Sequence, residues 1–345
     1  MKKLLNTVYV TSEDAWLHKD GANLVVEVAG AEKARAPLHM LESVVTFGRA
    51  GASPALLAAC AQAGITISFL EPNGRFLAPV EGIRTGNVLL RRKQHRIADD
   101  EARKAIIVRA VVTAKTANQR TVLRRALRDY GDLPLEAAAA LGMAERRLTD
   151  ILRRIMATAS VDELRGLEGE AAAVYFAVFR HLLRRDNDEF VFRGRSRRPP
   201  LDRVNALLSF LYAMLGHDCR SALESHGLDP QIGFLHADRP GRASLALDLM
   251  EELRPVMADR LALSLINRRQ LAAGDFIVEE AGGVQLTGDA RRQVLITWQE
   301  RKRETLRHPF LGETTPLGLV AALQAQLLAR HLRGDLNGYP SFIWK

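Results

Sequence analysis

The spacing of apolar positions changes character about a quarter of the way along the chain. Up to about residue 82 the apolar residues come in short β-branched or aromatic runs: LNTVYV (5–10), NLVVEVAG (23–30), ITISFLEP (65–72) and GRFLAPVEG (74–82). Gly, Pro, Asn or Asp bound each run, which is the pattern of short strands. Among them SPALLAACAQAG (53–64) has a Ser-Pro start, apolar spacing of three and four and a Gly stop, and predicts one helix. From Gly82 onward, helical spacing dominates, through AIIVRAVVTAKTANQRTVLRRALRDYG (105–131) and most of the remaining chain. The helical texture breaks at FRGRSRRPPLD (192–202) and GFLHADRPGRAS (233–244), and FIVEEAGGVQLT (276–287) predicts a small hairpin about Gly282-Gly283. The expected fold is α+β: a small N-terminal β-rich domain (1–82), a basic junction (83–95) and a larger all-α domain (96–345).

Composition narrows this little. With 47% hydrophobic and 26% charged residues, the 345-residue chain can bury two ordinary cores and is not a disordered polymer. The two cysteines, Cys60 and Cys219, match no metal spacing and read as buried free thiols in a reducing compartment. The first residues carry no signal-like apolar run, and no stretch reaches the roughly 18 apolar residues of a membrane span, so the expectation is a cytoplasmic protein with no membrane partner.

Charge changes the picture more. The formal net charge is +9, and its distribution is uneven: residues 83–131 hold 13 Lys and Arg against 4 Asp and Glu, while the flanks nearly balance. Such a concentration is the footprint of nucleic-acid binding rather than of general solubility. Arg84, Arg91, Arg92, Arg96, Arg120 and Arg124 are the expected phosphate contacts in this segment, able to follow a duplex backbone without reading its sequence. A second basic run carries Arg195, Arg197 and Arg198, with Phe190 and Phe192 just before it. These aromatics either stack on bases or anchor a surface loop.

Two further patterns bear on chemistry. In LEAAAALGMAERRLTDILRRI (135–155), Ala138 and Gly142 stand four apart, a spacing that suits a helix-turn-helix but equally a plain helical hairpin, which is the reading adopted. In RGLEGEAAAVYFAVF, Glu168 is expected to open a helix whose apolar face runs through Ala172, Tyr175, Phe176 and Phe179. Downstream, His236 lies in a loop feeding a helix that bears Asp248 and Glu251 on one face, three residues apart. A carboxylate from one helix, an imidazole from a loop and a carboxylate from another helix suit a hard ion such as Mg²⁺ or Mn²⁺. Taken alone, this spacing is commonplace.

Four motifs in order make it less so: Glu168 beside glycines, then Pro-Pro-x-Asp-x-x-Asn (199–205), Gly-Phe-x-His (233–236) and Ser-Leu-x-x-Asp-Leu-x-Glu (244–251). Together they resemble the integrase of CRISPR spacer adaptation, the first-numbered Cas protein, whose family also joins a small β domain to a helical catalytic one. The ending GYPSFIWK is similar to the form found with type I-C systems. The resemblance implies a metal-dependent DNA endonuclease and strand transferase that inserts captured DNA at CRISPR repeats, using a 3′-hydroxyl to attack a phosphodiester. It implies Glu168, His236 and Glu251 as ligands of Mg²⁺ or Mn²⁺ and Asp248 as a further catalytic acid, beside or behind them. The family often has Asp where Glu251 stands, which leaves open whether Asp248 or Glu251 ligates directly. Asp202 and Asn205 are expected to orient the chain near the site. The implied partners are double-stranded DNA with 3′-hydroxyl ends, CRISPR repeat DNA, a second copy of the chain in a homodimer through the β domains, and the small ferredoxin-like second-numbered Cas protein. Two alternatives stand beside this reading: a branched-DNA nuclease with the same site, and a non-catalytic helix-turn-helix regulator.

Overall fold

The computed structural model describes residues 7–12, 14–72, 76–80, 82, 88–184, 188–280 and 282–344. The chain divides into two compact units, one of residues 1–85 with 286–300 and one of residues 86–285 with 301–345. The first is β-rich and the second helical, so the fold is α+β as the sequence implies. Two details differ from the expected boundaries. Residues 286–300 belong to the β-rich unit, and the basic junction is largely a helix of the helical unit, α2 (Val88–Ala98).

The β-rich unit holds two four-stranded sheets. One has the order β1 (Thr7–Val10), β5 (Ser43–Phe47), β7 (Thr66–Leu70), β8 (Phe76–Val80), parallel except for the last pair. The other runs β4 (Ala31–Pro37), β3 (Asn23–Val28), β2 (Trp16–Asp20), β6 (Gly51–Ala52). The four expected runs became β1, β3, β7 and β8. Of the other four strands, β4 is an exposed, charged edge strand with no apolar alternation and β6 is two residues long, whereas β5, SVVTF, is a fully buried β-branched run that the sequence reading did not single out. Helix α1 (Pro54–Ala63) forms where predicted. Ser53 Oγ accepts from the Leu56 N–H at 3.3 Å, and Gly64 ends the helix at φ 71°, a left-handed conformation that glycine adopts without strain. Its Leu56 and Cys60 pack with Leu17, Leu24, Val44 and Ile67, residues drawn from both sheets. Both cysteines are buried and unpaired, and burial pushes the Cys60 thiol up to about 11.

The helical unit is organised about α3 (Glu101–Asp129), which has 14 buried positions and packs on α4 (Leu135–Ala157) and α5 (Val161–Val178). Helix α4 is continuous through Gly142. Neither the helix-turn-helix nor the hairpin forms, because the flanking alanines and leucines favour helix strongly enough to carry one interior glycine. Helix α5 starts seven residues before Glu168, capped by Ser160, whose Oγ accepts from the Glu163 N–H, the start of a Ser-x-x-Glu signature. Glu168 is therefore mid-helix, and the buried face is Leu164, Leu167, Ala171, Val174 and Tyr175, with Phe176 half-buried.

Next come α6 (Arg203–Ser225) and α7 (Ser244–Arg254). A π-helical turn over Pro255–Asp259 then leads into α8 (Arg260–Asn267). The predicted hairpin is β9 (Phe276–Val278) with β10 (Val284–Leu286), followed by α9 (Gly288–Arg303). A second small pair, β11 (Thr305–Arg307) with β12 (Thr314–Pro316), precedes α10 (Val320–Arg333). Among the described residues no helix is long and apolar enough to cross a membrane.

Candidate active site

The loop that carries His236 is tied down from three sides. From α2, Gln94 Nε2 donates to the Asp229 and Ile232 carbonyls, both at 2.8 Å. From α5, Arg165 Nε donates to the Leu235 carbonyl at 2.7 Å, one turn before Glu168. From α7, Asp248 gathers four donors. Its Oδ2 accepts from the Phe234 and Leu235 N–H groups at 2.6 and 3.0 Å, and its Oδ1 from the His236 N–H at 3.0 Å and the His236 ring Nδ1 at 2.7 Å. Gly233 is required for this close approach, since a Cβ there would lie 2.8 Å from Ser244 Cβ and 3.0 Å from Asp248 Oδ2. With Nδ1 donating to a carboxylate, the imidazole presents its Nε2 lone pair in the opposite direction, toward Glu251 Oε1 at 3.8 Å.

Glu251 is 2% exposed and stands among cations. Arg254 Nη1 lies 3.0 Å from its Oε1, and the Lys115 ammonium lies 2.6 Å from its Oε2. Burial alone would raise this carboxyl, but Arg254, Lys115 and His236 outweigh burial and hold it down at about 2. Lys115, itself 5% exposed, reaches from α3 and also contacts Glu168 Oε1 on α5. One buried ammonium thus bridges the two carboxylates. Its ion pair with Glu251 Oε2 neutralises a carboxylate oxygen that is closed off from water. Behind the cluster Arg254 lies over the Tyr212 ring, 4.9 Å from its centroid, and the Tyr212 hydroxyl donates to Asp259 Oδ1 at 2.6 Å.

With Lys115 in place, no three His, Cys, Asp or Glu side chains among the described residues stand close enough to hold an ion. The donor chemistry nevertheless fits a divalent cation. Two carboxylates already share one positive charge, and the imidazole Nε2 faces one of them, a mixed oxygen and nitrogen donor set arranged about a cation. Asp248 is the poorer candidate for a ligand, because its oxygens are occupied by the N–H groups that shape the loop.

Lys115 and Arg254 were not read from the sequence as site residues. Lys115 was one member of a basic series, yet it is a lone charge in VVTAKTAN, where Val111, Val112, Asn118 and Gln119 one turn away are all buried. That is the signal of an inward-facing lysine.

The expected DNA contacts scatter. Arg84 lies outside the described residues. Arg92, Arg96, Arg197 and Arg198 are exposed and Arg91 is half-buried. Arg120 donates to Thr149 Oγ1 at 3.3 Å and Arg124 to Glu145 Oε1 at 2.6 Å, so both are engaged with α4 rather than lined up as one stripe. Arg195 turns inward, donating to Asn205 Oδ1 at 2.7 Å and Ser209 Oγ at 3.1 Å. Asp202 caps α6 through the Asn205 N–H at 2.7 Å, and the Asn205 amide donates to the Gly194 carbonyl, so this motif orients the basic loop. Phe190 and Phe192 are buried anchors, Phe192 lying 5.2 Å from Phe179 between ring centroids. Between this loop and α5 runs a groove of about 780 Å³ lined by Arg180, Arg193, Arg195 and Arg197.

The family model for CRISPR associated protein Cas1 matches residues 8–300. The chain is 60% identical over 347 residues to CRISPR-associated endonuclease Cas1 2 of Rhodospirillum rubrum, covering the whole of both. Among solved structures it resembles a casposase bound to integration product at a TM-score of 0.84 and 21% identity, covering 99% of this chain and 95% of that one. It also resembles a chain of a Cas6-RT-Cas1–Cas2 complex at a TM-score of 0.83 and 23% identity, covering all of this chain and 36% of that one. The structural likenesses establish the fold. The family model and the full-length identity go further and show that this chain belongs to the CRISPR-associated endonuclease Cas1 family.

Proposed function

We propose that the chain is a metal-dependent integrase of CRISPR adaptation, joining the 3′-hydroxyl ends of captured double-stranded DNA to phosphodiesters of the CRISPR repeat. The convergence of Glu168 and Glu251 on one buried ammonium, with His236 Nε2 facing Glu251 Oε1 at 3.8 Å, carries this reading. In it, these three side chains hold Mg²⁺ or Mn²⁺, which when bound lowers the pKa of an attacking hydroxyl and neutralises charge on the phosphoryl oxygens. Asp248 keeps the imidazole turned so that Nε2, not Nδ1, is the nitrogen that would serve as ligand. Arg254 fixes Glu251 Oε1. The Lys115 ammonium, released from the carboxylates, is free to meet a phosphate oxygen. Exposed Arg92, Arg96, Arg197 and Arg198 contact the DNA backbone, and the groove beside α5 takes a strand end within a turn of Glu168.

The likeness to a chain of a Cas6-RT-Cas1–Cas2 complex supports the small ferredoxin-like second-numbered Cas protein as partner. The reading includes a cytoplasmic homodimer formed through the β-rich units and, on the GYPSFIWK ending, a type I-C system. The word endonuclease in the relatives' names favours a second reading, in which water replaces the hydroxyl and branched DNA is cut without joining. The regulator reading loses its motif, because α4 is one unbroken helix.

The test is strand transfer of a labelled 3′-hydroxyl duplex into a plasmid bearing a CRISPR repeat, with and without the small partner. Joined product in Mn²⁺ that is lost in EDTA, in Glu168→Ala and in His236→Ala is the expected result. Junction cleavage without joining would favour the nuclease, and tight DNA binding with neither reaction would sink both.

A further inference from the structure

On the helical unit, outside the candidate active site, the end of α3 and the end of α8 enclose a cavity of about 830 Å³. Five arginines line it, Arg125, Arg184, Arg260, Arg268 and Arg269, against a single carboxylate, Asp129. The arrangement is built rather than incidental. The indole of Trp344 is flanked by the guanidiniums of Arg125 at 3.7 Å and Arg260 at 4.4 Å from the ring centroid, and the Arg184 guanidinium lies 5.0 Å from the Tyr130 ring centroid. Stacking on aromatic faces holds guanidinium planes in fixed orientation. The Tyr130 hydroxyl in turn accepts from Asn267 Nδ2, which also donates to the Leu182 carbonyl.

Two features of this cluster are costly to the fold. Burial, reinforced by Arg301 and Arg125, pushes the Arg260 guanidinium down to about 10. Arg125 and Arg301 are shifted the same way, by burial first and by other arginines. The nearby acids are already engaged: Asp132 with Arg184 at 2.5 Å, Glu304 with Arg301 at 2.5 Å and Asp129 with Arg128 at 2.7 Å. The second feature is Arg269. It sits at φ 57°, just past the end of α8, with the Gln270 N–H closing back onto the Leu265 carbonyl at 2.9 Å. This is the left-handed terminator where glycine is favoured, and a side chain there costs on the order of 1 kcal/mol. The exposed side chains of Arg268 and Arg269 have no ion pair among the described residues.

We infer that this arginine cavity is a second DNA-backbone site, gripping phosphates of the duplex that the active site works on at a distance from the reacting bond. The assignment rests on the DNA reading above. Lys115 and Arg125 are ten residues apart on α3, a rise of about 15 Å, which corresponds to roughly four to five base pairs of duplex. The exposed Arg268 and Arg269 guanidiniums at the cavity rim match phosphate oxygens, and a backbone contact of this kind is indifferent to sequence.

The test is binding of fluorescein-labelled duplexes of increasing length in EDTA, so that no chemistry intervenes, over a range of salt. The wild type is compared with Arg268→Ala/Arg269→Gly and with Arg146→Ala/Arg153→Ala, which removes the same charge from exposed positions on α4, outside the basic 83–131 segment. The cavity variant should fold at least as well, since glycine relieves the left-handed position. It should lose on the order of tenfold in affinity for long duplexes only, and its slope of log K against log salt should fall by about two. The idea is overturned if its affinity and slope match wild type at every length, or if the control variant loses as much. Loss of binding to a labelled polyglutamate peptide with DNA binding intact would also overturn it, in favour of an acidic protein partner. If wild type itself binds no duplex at low salt, the DNA reading and this site fall together, whereas a dead joining reaction with length-dependent binding intact would fail the first and leave the second standing.

Discussion

Glu251 and Glu252 are neighbours on α7, both buried, and they ionise in opposite directions. Glu251 looks toward Lys115, Arg254 and His236 and is held at about 2. Glu252 looks the other way, toward the C-terminal segment, and accepts from Tyr339 Oη at 2.6 Å, the Phe342 N–H at 2.7 Å and Gln324 Nε2 at 2.9 Å. These neutral donors do not overcome burial, which raises Glu252 to about 7. Equal burial therefore gives an anion on one face and, on the other, an acid that keeps its proton up to about pH 7, and the partner's charge decides which. One face holds a buried cation, which the proposed function exchanges for a divalent ion. The other is a structural seam, continued where Asn118 Nδ2 donates to the Glu252 and Phe342 carbonyls and the Trp344 N–H donates to Asn118 Oδ1.

The comparison breaks most directly at Lys115. In Lys115→Met two carboxylates lose their shared cation inside the protein, and the expected loss of stability without divalent ion is about 3 kcal/mol, the low end for a broken buried pair because Glu168 is a quarter exposed. Mn²⁺ should restore more stability to this variant than it adds to wild type, since the ion no longer competes with an ammonium. Urea unfolding with Mn²⁺ and with EDTA measures both. An unchanged midpoint in EDTA would mean that Lys115 does not neutralise the pair.

The opposite face is tested by pH. Because Glu252 is raised from 4.5 to about 7, between those values the folded chain holds a proton that the unfolded chain has lost, so stability falls as pH rises through that window. The contribution is on the order of 3 kcal/mol. Asp259, raised to about 6 by burial, adds in the same direction. Glu252→Gln should flatten the decline between pH 5 and 7.5 in EDTA, leaving the Asp259 share. Glu251 has the reverse sign: its contribution is complete above about pH 4.5 and is lost as pH falls toward 2. A Glu252→Gln variant as pH-sensitive as wild type would place the titrating group elsewhere.

Asp248 separates ligand from scaffold. Replacing it with Asn puts an amide donor against N–H donors and releases His236 from its tautomer, so Mn²⁺ affinity should fall by roughly 10- to 100-fold, as for other groups that orient a metal-binding imidazole. Calorimetric titration reads this directly. Full retention of affinity would return Asp248 to the open question the sequence left.

That question shows what was and was not legible. His236, Asp248, Glu251 and Glu168 could be picked out because their motifs lie in order along the chain, and α1 because Ser53, Pro54 and Gly64 mark its ends locally. The division of labour between Asp248 and Glu251 depends on which side of α7 meets the His236 loop and which meets α3, a tertiary fact with no local signature. The same holds for the basic segment. Thirteen cations in 49 residues suggested one surface, but a helix buried on several sides sends them in different directions, Lys115 to carboxylates, Arg124 to α4 and Arg125 to Trp344. Gly142 misled for a related reason, since a Cβ there would meet only Arg146 Nη1 at 3.7 Å, and nothing in the packing demands a glycine or a turn.

The smallest and sharpest test of the two faces is Tyr339→Phe. The phenol donates to Glu252 Oε1 at 2.6 Å and works against burial, favouring the ionised acid. Its removal should cost about 1 kcal/mol, the net worth of one hydrogen bond. Burial would then be opposed by Gln324 and the Phe342 N–H alone, so the Glu252 midpoint should move above 7 and the decline of stability should reach to higher pH. A matched loss on the other face, Arg254→Met, should instead raise Glu251 from its low value, because there a charge and not a neutral donor is removed. If Tyr339→Phe lowered the Glu252 midpoint, the phenol would have been stabilising the protonated acid as an acceptor, and the seam would be held by a hydrogen bond running from Glu252 to Tyr339 rather than the reverse.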